Sequence, residues 1–187
     1  MKKIIGFIGK QGSGKDTCTD YLCEKHGAKV LKFSTIMADC LIRLGLPVVR
    51  DNLIAFSKVT RAAFGQDLYA KAIAKDAANT ADLVAINGIR RSGDISALKN
   101  MPEFTLIAID APPKLRYERI LNRRERADDK NLTWEKFQAV EDDETESTIP
   151  EVMAQANITI DNSGTLNQLK SKIDEIVTGF DRGHHDE

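Results

Sequence analysis

The sequence has little of what marks a secreted, membrane-spanning or nucleic-acid-binding protein. It contains three cysteines, an odd number without a C-x-x-C pair, which argues against a disulfide framework. No run approaches the roughly 18 consecutive apolar residues of a membrane span. The two lysines before the first apolar run are too short for a secretory signal, and a net charge of −1 does not favour nucleic acid or membrane surfaces. These absences predict a cytoplasmic protein without nucleic-acid or membrane partners.

Short apolar runs alternate with longer helical patterns along the 187 residues. The runs predict five buried strands, and the alternation predicts a parallel sheet with helices on both faces. We expect a single domain over residues 1–180 and a polar tail over 181–187, in which His184 and His185 either bind metal or belong to a frayed terminus. The predicted strands are Ile4–Ile8, Val30–Phe33, Leu83–Ile86, Thr105–Ile109 and Ile158–Ile160. The predicted helices are Lys15–Lys25, Thr35–Leu44, Asn52–Phe64, Asp67–Asn79, Pro113–Arg124, Thr133–Glu144 and Leu166–Val177.

The segment between the first strand and the first helix reads GKQGSGKDT, from Gly9 to Thr17. This is the G-x-x-x-x-G-K pattern of a phosphate-binding loop, in the strand–loop–helix context that it requires. Backbone N–H groups, the helix N-terminus and the charge of Lys15 would hold the phosphates. Asp16 stands where Ser or Thr normally contacts Mg²⁺, and a bridging water could link it to the ion. The pattern predicts binding of ATP and Mg²⁺ by Gly9, Gly12, Ser13, Gly14, Lys15, Asp16 and Thr17.

The rest of the sequence favours a small-molecule kinase among the classes that share this loop. There is no guanine-reading N-K-x-D motif. The third predicted strand is followed by Asn87 and not by the acidic residue typical of motors and helicases. Asn87 leaves direct help from an acidic side chain in doubt, so Mg²⁺ would be held largely by phosphates and waters.

Basic residues at three separate places would meet at the carboxyl edge of such a sheet. Arg90 follows the third strand, where its planar fork can hold the phosphate or carboxylate of an acceptor. Arg50 and Arg61 lie in a predicted helical insert, about residues 34–80, and each is either an acceptor contact or a surface charge. Ser34 is either a helix cap or an acceptor contact.

The third basic group is a set of arginines in one predicted helix and the loop after it. At helical spacing the first three share a face and repel each other without an anionic partner. One interpretation is a lid over about residues 116–134 that closes over the triphosphate, chiefly through Arg119 and Arg123. The other is a surface helix neutralised by the acidic run Glu141–Glu146. Trp134 either stacks on a base or anchors the next helix. The arginines are Arg116, Arg119, Arg123, Arg124 and Arg126.

In this order the motifs resemble the P-loop nucleotide kinase-like ATPases, which include phage-type deoxynucleoside monophosphate kinases and dephospho-CoA kinases. The GKDT sequence of residues 14–17 resembles the loop of the former. The NGIR sequence of residues 87–90 is similar to a block in an archaeal group of the same superfamily, and residues 160–166 resemble the segment beside the adenine pocket of dephospho-CoA kinases. The resemblance implies a three-layer P-loop NTPase fold with a five-stranded parallel sheet, a helical acceptor insert and an arginine-rich lid. It also implies an acceptor-phosphate contact at Arg90 and an adenine-side contact at Asn162, which could otherwise be a turn asparagine.

The sequence therefore predicts ATP-dependent phosphoryl transfer to a nucleoside or deoxynucleoside monophosphate, with Lys15, Arg90, Arg119 and Arg123 as the catalytic residues. One alternative is a dephospho-CoA kinase. Such an enzyme usually has an aspartate just after the second strand, and Asp39 lies about one helical turn too late. The other alternative is a nucleotide-binding regulatory ATPase without a small-molecule acceptor, which is compatible with Asn87.

Overall fold

A five-stranded, all-parallel sheet in the order β2-β3-β1-β4-β5 forms the centre of the molecule. The computed structural model describes residues 2–123, 132–141 and 144–182. All five predicted strands are present, so the expected parallel sheet is confirmed. The strands are β1 (Lys3–Ile8), β2 (Lys29–Lys32), β3 (Leu83–Asn87), β4 (Phe104–Asp110) and β5 (Ile158–Asp161).

Helices connect these strands and cover both faces of the sheet. Each of the seven predicted helices has a counterpart, with ends shifted by a few residues, and short helical turns were missed after β3 and before β5. The helices of the described residues are α1 (Lys15–His26), α2 (Phe33–Arg43), α3 (Arg50–Phe64), α4 (Leu68–Ala78), α5 (Ser92–Ile95), α6 (Pro113–Arg123), α7 (Trp134–Glu141), α8 (Glu144–Ser147), α9 (Ile149–Met153) and α10 (Leu166–Arg182).

Two apolar layers hold the helices to the sheet. On one face Ile4 and Ile86 pack with Ile73 of α4 and Val152 of α9. On the other face residues such as Phe7 pack against α1 and α10. Because both faces are covered, the central strands are apolar along their whole length and show no alternation. No helix among residues 2–123, 132–141 and 144–182 is long and apolar enough to cross a membrane.

The boundary between β2 and α2 differs from the prediction. We expected the strand to include Phe33, with Ser34 either as the cap of the next helix or as an acceptor contact, but the strand ends at Lys32 and the helix begins at Phe33. Phe33 is 3% exposed and packs in the core. The burial of this ring fixes the start of α2 two residues earlier than the apolar run suggested. Ser34 therefore lies inside the first turn of α2 and is not its cap.

The strand register defines the edge of the sheet at which ligands bind in this architecture. Asn87 at the end of β3 lies beside Lys32 at the end of β2. Asp110 at the end of β4 lies beside Asp161 at the end of β5. The glycine-rich loop follows β1 between these pairs. The fold thus brings the loop, Asn87 and the start of α6 to one edge. Residues 124–131, with Arg124, Arg126 and the predicted lid tip, lie outside the described residues, as do His184 and His185.

Candidate active site

The loop between β1 and α1 has the backbone conformation of a phosphate cradle. Gly12 and Gly14 have φ angles of 77° and 108°, in the left-handed region that favours glycine. A Cβ at Gly12 would lie 2.6 Å from the carbonyl oxygen of Arg116, and one at Gly14 would collide with Asn162 Nδ2. Glycine is therefore required twice, by the backbone angle and by the close approach of α6 and of the segment after β5.

Two side chains of the loop have groups suited to an anionic ligand. The Ser13 hydroxyl is fully buried and has no hydrogen-bond partner among the described residues. Lys15 Nζ donates to the carbonyl oxygen of Lys10 over 3.2 Å. Burial lowers the pKa of Lys15 to about 8 although the neighbouring Asp16 opposes this shift, and Arg90 lowers it further. At neutral pH most of the molecules keep this ammonium charged, as phosphate binding requires.

Asp16, in the first turn of α1, contacts two elements across the site. Its Oδ1 accepts a hydrogen bond from Asn87 Nδ2 at 2.6 Å, and its Oδ2 lies 3.6 Å from Arg123 Nη1. Burial opposes ionisation, but the Asn87 hydrogen bond and the charges of Lys15 and Arg123 together hold the pKa of Asp16 below its usual range. Asp16 is therefore ionised at neutral pH.

A cleft of about 310 Å³ opens in front of the loop. Its walls combine the cationic side chains expected at a triphosphate with apolar residues of α10. The lining residues are Gly12, Gly14, Lys15, Asp16, Thr17, Arg119, Ile120, Arg123, Asn162, Leu166 and Leu169. This composition suits a nucleotide, whose phosphates are anionic and whose base is apolar on its faces. The sequence-predicted Arg119 and Arg123 thus lie in the same cleft as the loop.

Asn162 and Arg119 have structural contacts within this cleft. Asn162 Nδ2 donates to the carbonyl oxygen of Ser13 at 2.7 Å, and the residue is 5% exposed. Arg119 Nη2 donates to the carbonyl oxygen of Asn162 at 2.9 Å, whereas its buried Nη1 has no partner among the described residues. Burial lowers the pKa of Arg119. Asn162 therefore fixes the loop backbone, and Arg119 keeps a donor that a bound phosphate could use.

The third arginine of this face, Arg116, does not line the cleft. It is 2% exposed and forms a two-point ion pair with Glu141 of α7, with Nη2 2.9 Å from Oε2. It also donates to the carbonyl oxygen of Gln11 in the loop over 3.3 Å. Glu141 Oε2 lies 3.3 Å from Lys10 Nζ as well. The partner of Arg116 is thus Glu141, the first residue of the acidic run considered in the surface-helix alternative, and the pair links the loop to α6 and α7.

An aromatic cluster packs the first half of α7 against α6. Trp134 stacks on Phe137 with ring centroids 5.3 Å apart, and Tyr117 of α6 meets the Trp134 ring edge-on at 5.4 Å. The guanidinium of Arg116 lies 5.4 Å from the centre of the Phe137 ring. These contacts account for Trp134 as an anchor of α7 to α6. Base stacking is not needed to explain its position.

Arg90 lies just past the carboxyl end of β3, as predicted, and it is paired with a carboxylate of the chain. Its Nη1 donates to Oε1 of Glu146 in α8. The Arg90 side chain is 47% exposed, whereas that of Glu146 is 7% exposed. The carbonyl oxygen of Arg90 also accepts a hydrogen bond from Thr148 Oγ1 at 3.0 Å. The carboxylate of Glu146 thus occupies a position at which Arg90 could hold an acceptor's phosphate.

Arg61 occupies a different environment from the one expected of an acceptor contact. Its Nη2 lies 2.7 Å from Asp94 Oδ1, and both side chains are almost fully buried. The other oxygen of Asp94 accepts hydrogen bonds from the backbone N–H groups of Arg90 and Arg91, at 2.9 and 3.0 Å. Arg61 also donates to the carbonyl oxygen of Gln66. These contacts argue that Arg61 positions the Arg90 loop and does not itself touch a ligand.

The remaining predicted acceptor residues lie on the surface of the insert. Arg50 is exposed in the first turn of α3, and Ser34 is exposed in the first turn of α2. The structure therefore brings Ser34 to the edge of the sheet at the end of β2. Arg50 follows an exposed stretch, residues 44–49, at the far end of α2.

The sequence matches known proteins over most of its length. The pattern of a family described as an AAA domain matches residues 8–138. A UPF0200 protein from Sulfurisphaera tokodaii is 34% identical over 175 residues, which cover 94% of this chain and 96% of that protein. The chain belongs to the UPF0200 family and carries an AAA domain. A second UPF0200 protein, from Methanococcus maripaludis, is 29% identical over 182 residues, covering 94% of this chain and 98% of that protein.

Solved kinases have the same fold as this UPF0200 chain. Shikimate kinase from Acinetobacter baumannii, in complex with shikimate, aligns with a TM-score of 0.58 and 18% identity over 96% of this chain and 95% of the kinase. A gluconokinase from Sinorhizobium meliloti aligns with a TM-score of 0.59 and 14% identity over 98% of each chain. At such identities the likeness shows the fold alone. The UPF0200 chain thus has the fold of the P-loop kinases, as the sequence predicted.

Three carboxylates of the UPF0200 site were not singled out from the sequence: Asp94, Glu141 and Glu146. Each pairs with an arginine that was predicted to be functional, over sequence separations of 33, 25 and 56 residues. The sequence contained one indication of these pairs, because the acidic run Glu141–Glu146 was considered as the partner of the arginine helix. That run gave no indication that its last carboxylate reaches Arg90.

Proposed function

We propose that this UPF0200 chain transfers the γ-phosphoryl group of ATP to a nucleoside monophosphate or a related phosphate-bearing small molecule. The observation that carries the proposal is the pairing of Arg90 with the carboxylate of Glu146. Beside the phosphate loop, this arginine already binds a carboxylate at the position where a kinase of this fold needs an anion-binding acceptor site. The charge of Arg90 contributes to the lowered pKa of Lys15, which supports the proposal that both cations belong to one site.

The donor side of the site fits a triphosphate. The cleft has two required glycines, a buried Ser13 hydroxyl without a partner, and cationic groups from Lys15, Arg119 and Arg123. In the proposed complex the loop N–H groups and Lys15 hold the β- and γ-phosphates. Arg119 and Arg123 neutralise the γ-phosphoryl oxygens, where charge accumulates during transfer. A bound Mg²⁺ would supply further charge neutralisation at the same phosphates.

The acceptor side favours a phosphate oxygen over a hydroxyl as the attacking group. A hydroxyl acceptor has to lose a proton to a base, whereas a phosphate monoester with a second pKa near ~6 is already deprotonated at neutral pH. β2 is followed by Phe33, Ser34 and Thr35, and Asp39 lies exposed further along α2. Asn87, at the end of β3, is not a base. In the proposed reaction the acceptor oxygen forms a bond to the γ-phosphorus while the bond to the bridging oxygen breaks, and ADP leaves with that oxygen.

The test is ADP release from ATP and Mg²⁺, measured with a panel of possible acceptors. The panel contains nucleoside and deoxynucleoside monophosphates, dephospho-CoA, and the hydroxy acids shikimate and gluconate, on which the two neighbouring kinases act by name. We expect at least one monophosphate to stimulate turnover. Stimulation by dephospho-CoA or a hydroxy acid alone would replace the proposed acceptor class. The same slow hydrolysis with every compound would favour the regulatory ATPase.

Two substitutions assign the roles of the cations in the same assay. Lys15→Ala should lower turnover by about 100- to 1,000-fold, the usual loss when one such charge-stabilising donor is removed. Lys25→Ala, on the exposed face of the same helix, is the matched control. Arg90→Ala should raise the acceptor KM and leave the Kd for ATP unchanged, whereas Arg91→Ala next to it should change neither. Unchanged acceptor kinetics in Arg90→Ala would remove Arg90 from the acceptor site.

A further inference from the structure

Asp16 and Asn87 face each other in an arrangement that reverses a common one. In P-loop NTPases, Mg²⁺ is held by the Ser or Thr after the loop lysine and by an acidic residue at the end of a neighbouring strand. In this chain the residue after Lys15 is Asp16, and the residue that ends β3 is Asn87. The two side chains are hydrogen-bonded, with Asn87 Nδ2 2.6 Å from Asp16 Oδ1. One carboxylate and one neutral partner are thus present, but they have exchanged places.

We propose that Asp16 is a direct ligand of the Mg²⁺ that accompanies ATP, and that Asn87 positions the Asp16 carboxylate for this role. The inference rests on the proposed nucleotide site. It differs from the expectation that a water would separate Asp16 from the ion. The role of Asn87 is that of a positioning residue, because its amide donates to the ligand and does not itself contact the metal.

The contacts of the two side chains support these different roles. Asn87 is 7% exposed, so the surrounding residues hold its amide in a fixed direction. Water has little access to this amide and does not compete for its hydrogen bond to Asp16. Asp16 has 63% of its side chain exposed and faces the cleft. The bond from Asn87 occupies Oδ1 and leaves Oδ2 directed toward cations. A ligand held by a second, buried side chain is the usual design of metal sites in proteins.

A cation already lies near the Asp16 oxygen that we assign to the metal. Arg123 Nη1 is 3.6 Å from Oδ2. A Mg²⁺ ion held by this oxygen would take the place that the guanidinium now has beside it. Arg123 can then turn toward the phosphates, which is the role proposed for it above. The same carboxylate would therefore hold Arg123 before the nucleotide binds and the ion afterwards.

The site needs the nucleotide to complete the coordination of the ion. Residues 2–123, 132–141 and 144–182 contain no group of three or more His, Cys, Asp or Glu side chains that could hold a metal. Mg²⁺ requires six oxygen ligands and is commonly bound by one or two carboxylates together with phosphates and waters. Asp16 alone fits this pattern. We therefore expect the ion to bind with ATP and not before it.

The experiment exchanges the two residues and measures binding without turnover. A β,γ-imido analogue of ATP is titrated into each protein by calorimetry, once with Mg²⁺ and once with EDTA, and the ratio of the two Kd values gives the gain from the metal. Asp16→Ser and Asp16→Asn should each reduce this gain by about tenfold or more. Asp20→Ser removes the same charge one turn further along α1, at an exposed position, and should leave the gain unchanged.

The double variant Asp16→Ser with Asn87→Asp restores the usual order of hydroxyl and carboxylate and should recover most of the gain. A full metal gain in Asp16→Asn would overturn the direct ligand role, since phosphates and waters would then suffice. A double variant that folds and binds the analogue in EDTA, but recovers nothing, would overturn the pairing with Asn87.

The proposed function fails in a different way. If the wild-type protein bound the analogue with a metal gain that depends on Asp16 but transferred no phosphoryl group to any acceptor, the kinase proposal would fail and the metal site would stand. If the wild-type protein did not bind the analogue at all, both would fall.

Discussion

The two sides of the candidate active site differ in whether their hydrogen-bond donors already have a partner within the chain. On the nucleotide side, a buried Ser13 hydroxyl and a nitrogen of Arg119 have no partner among the described residues, and the cleft in front of them is open. On the acceptor side, Arg61 and Arg90 are each paired with a carboxylate of the chain itself. The proposed nucleotide site thus keeps donors for an anion, whereas the proposed acceptor would have to compete with Glu146 for Arg90.

The insert on the acceptor side adds to this contrast. The core residues around β1 are fully buried, but α2, α3 and the loop between them expose large apolar side chains such as Ile42, Val59 and Phe64, which are 64–70% exposed. Helices held by few apolar contacts open at low free-energy cost. We therefore predict that acceptor binding rearranges the contacts of Arg90 and the insert, whereas nucleotide binding requires only the turn of Arg123 described above. The following predictions test this difference.

The largest effect is expected at Asp94, which the acceptor side uses as a rigid support. Asp94→Ala leaves the buried charge of Arg61 without its counter-ion, and Arg61 Nη2 and two backbone N–H groups without their acceptor, so we expect a loss of about 3–5 kcal/mol in the free energy of unfolding. Urea denaturation measures it, with Asp39→Ala on the exposed surface of α2 as the control. A loss below ~1 kcal/mol would show that water replaces Asp94 and that the pair is not a support.

Glu141 links α7 to the nucleotide loop, and its effect should depend on pH. Burial opposes the ionised form, but the Arg116 hydrogen bonds and the charges of Arg116 and Lys10 hold the pKa of Glu141 below its ordinary value of 4.5. A carboxylate whose pKa is lowered on folding stabilises the protein above its unfolded pKa and loses this contribution as the pH falls through its folded pKa. We therefore expect Glu141→Gln to lower the free energy of unfolding by roughly 2 kcal/mol at pH 7.

The measurement is the melting temperature of the wild type and of Glu141→Gln between pH 7 and pH 3. The difference should be constant down to about pH 4.5 and shrink below it, because the wild-type carboxyl then becomes protonated like the neutral amide. Glu24→Gln, at an exposed position of α1, should show no such difference. If the difference in melting temperature stayed constant to pH 3, the charge of Glu141 would not be the reason that the wild type is more stable than Glu141→Gln.

The smallest effect is expected at Glu146, the carboxylate that an acceptor has to displace. Glu146→Gln should tighten the binding of inorganic phosphate, used as a probe of the Arg90 site, by about fivefold. This corresponds to roughly 1 kcal/mol, the value of a partly exposed ion pair. The Kd for ATP should not change, and Glu151→Gln in α9 serves as the control. Weaker phosphate binding in Glu146→Gln would mean that Glu146 orients Arg90 and does not compete for it.

The parts that could be predicted from the sequence are those determined by short segments. The apolar runs gave all five strands, and the spacing of Gly12, Gly14 and Lys15 gave the loop, because each depends on neighbouring residues. The end of β2 was predicted one residue late because Phe33 fits an apolar strand as well as the buried first turn of a helix. The partners of Arg61 and Arg90 could not be predicted, since charged residues far apart in sequence meet only through the packing of the sheet. Whether an arginine pairs inside the protein or can reach a ligand depends on its burial. The spacing of arginines in the sequence does not reveal that burial.

The stacking of Trp134 on Phe137 has a practical consequence. Trp134 is the single tryptophan of the chain, and it lies at the start of the helix whose last residue, Glu141, contacts Lys10 in the loop. The tryptophan fluorescence of the protein therefore comes from one known place, the first residue of α7. An emission spectrum recorded during an ATP titration reports whether α7 keeps its packing when the loop is filled, without a label or a substitution. Trp134 is thus an intrinsic optical probe of the packing of α7 against α6.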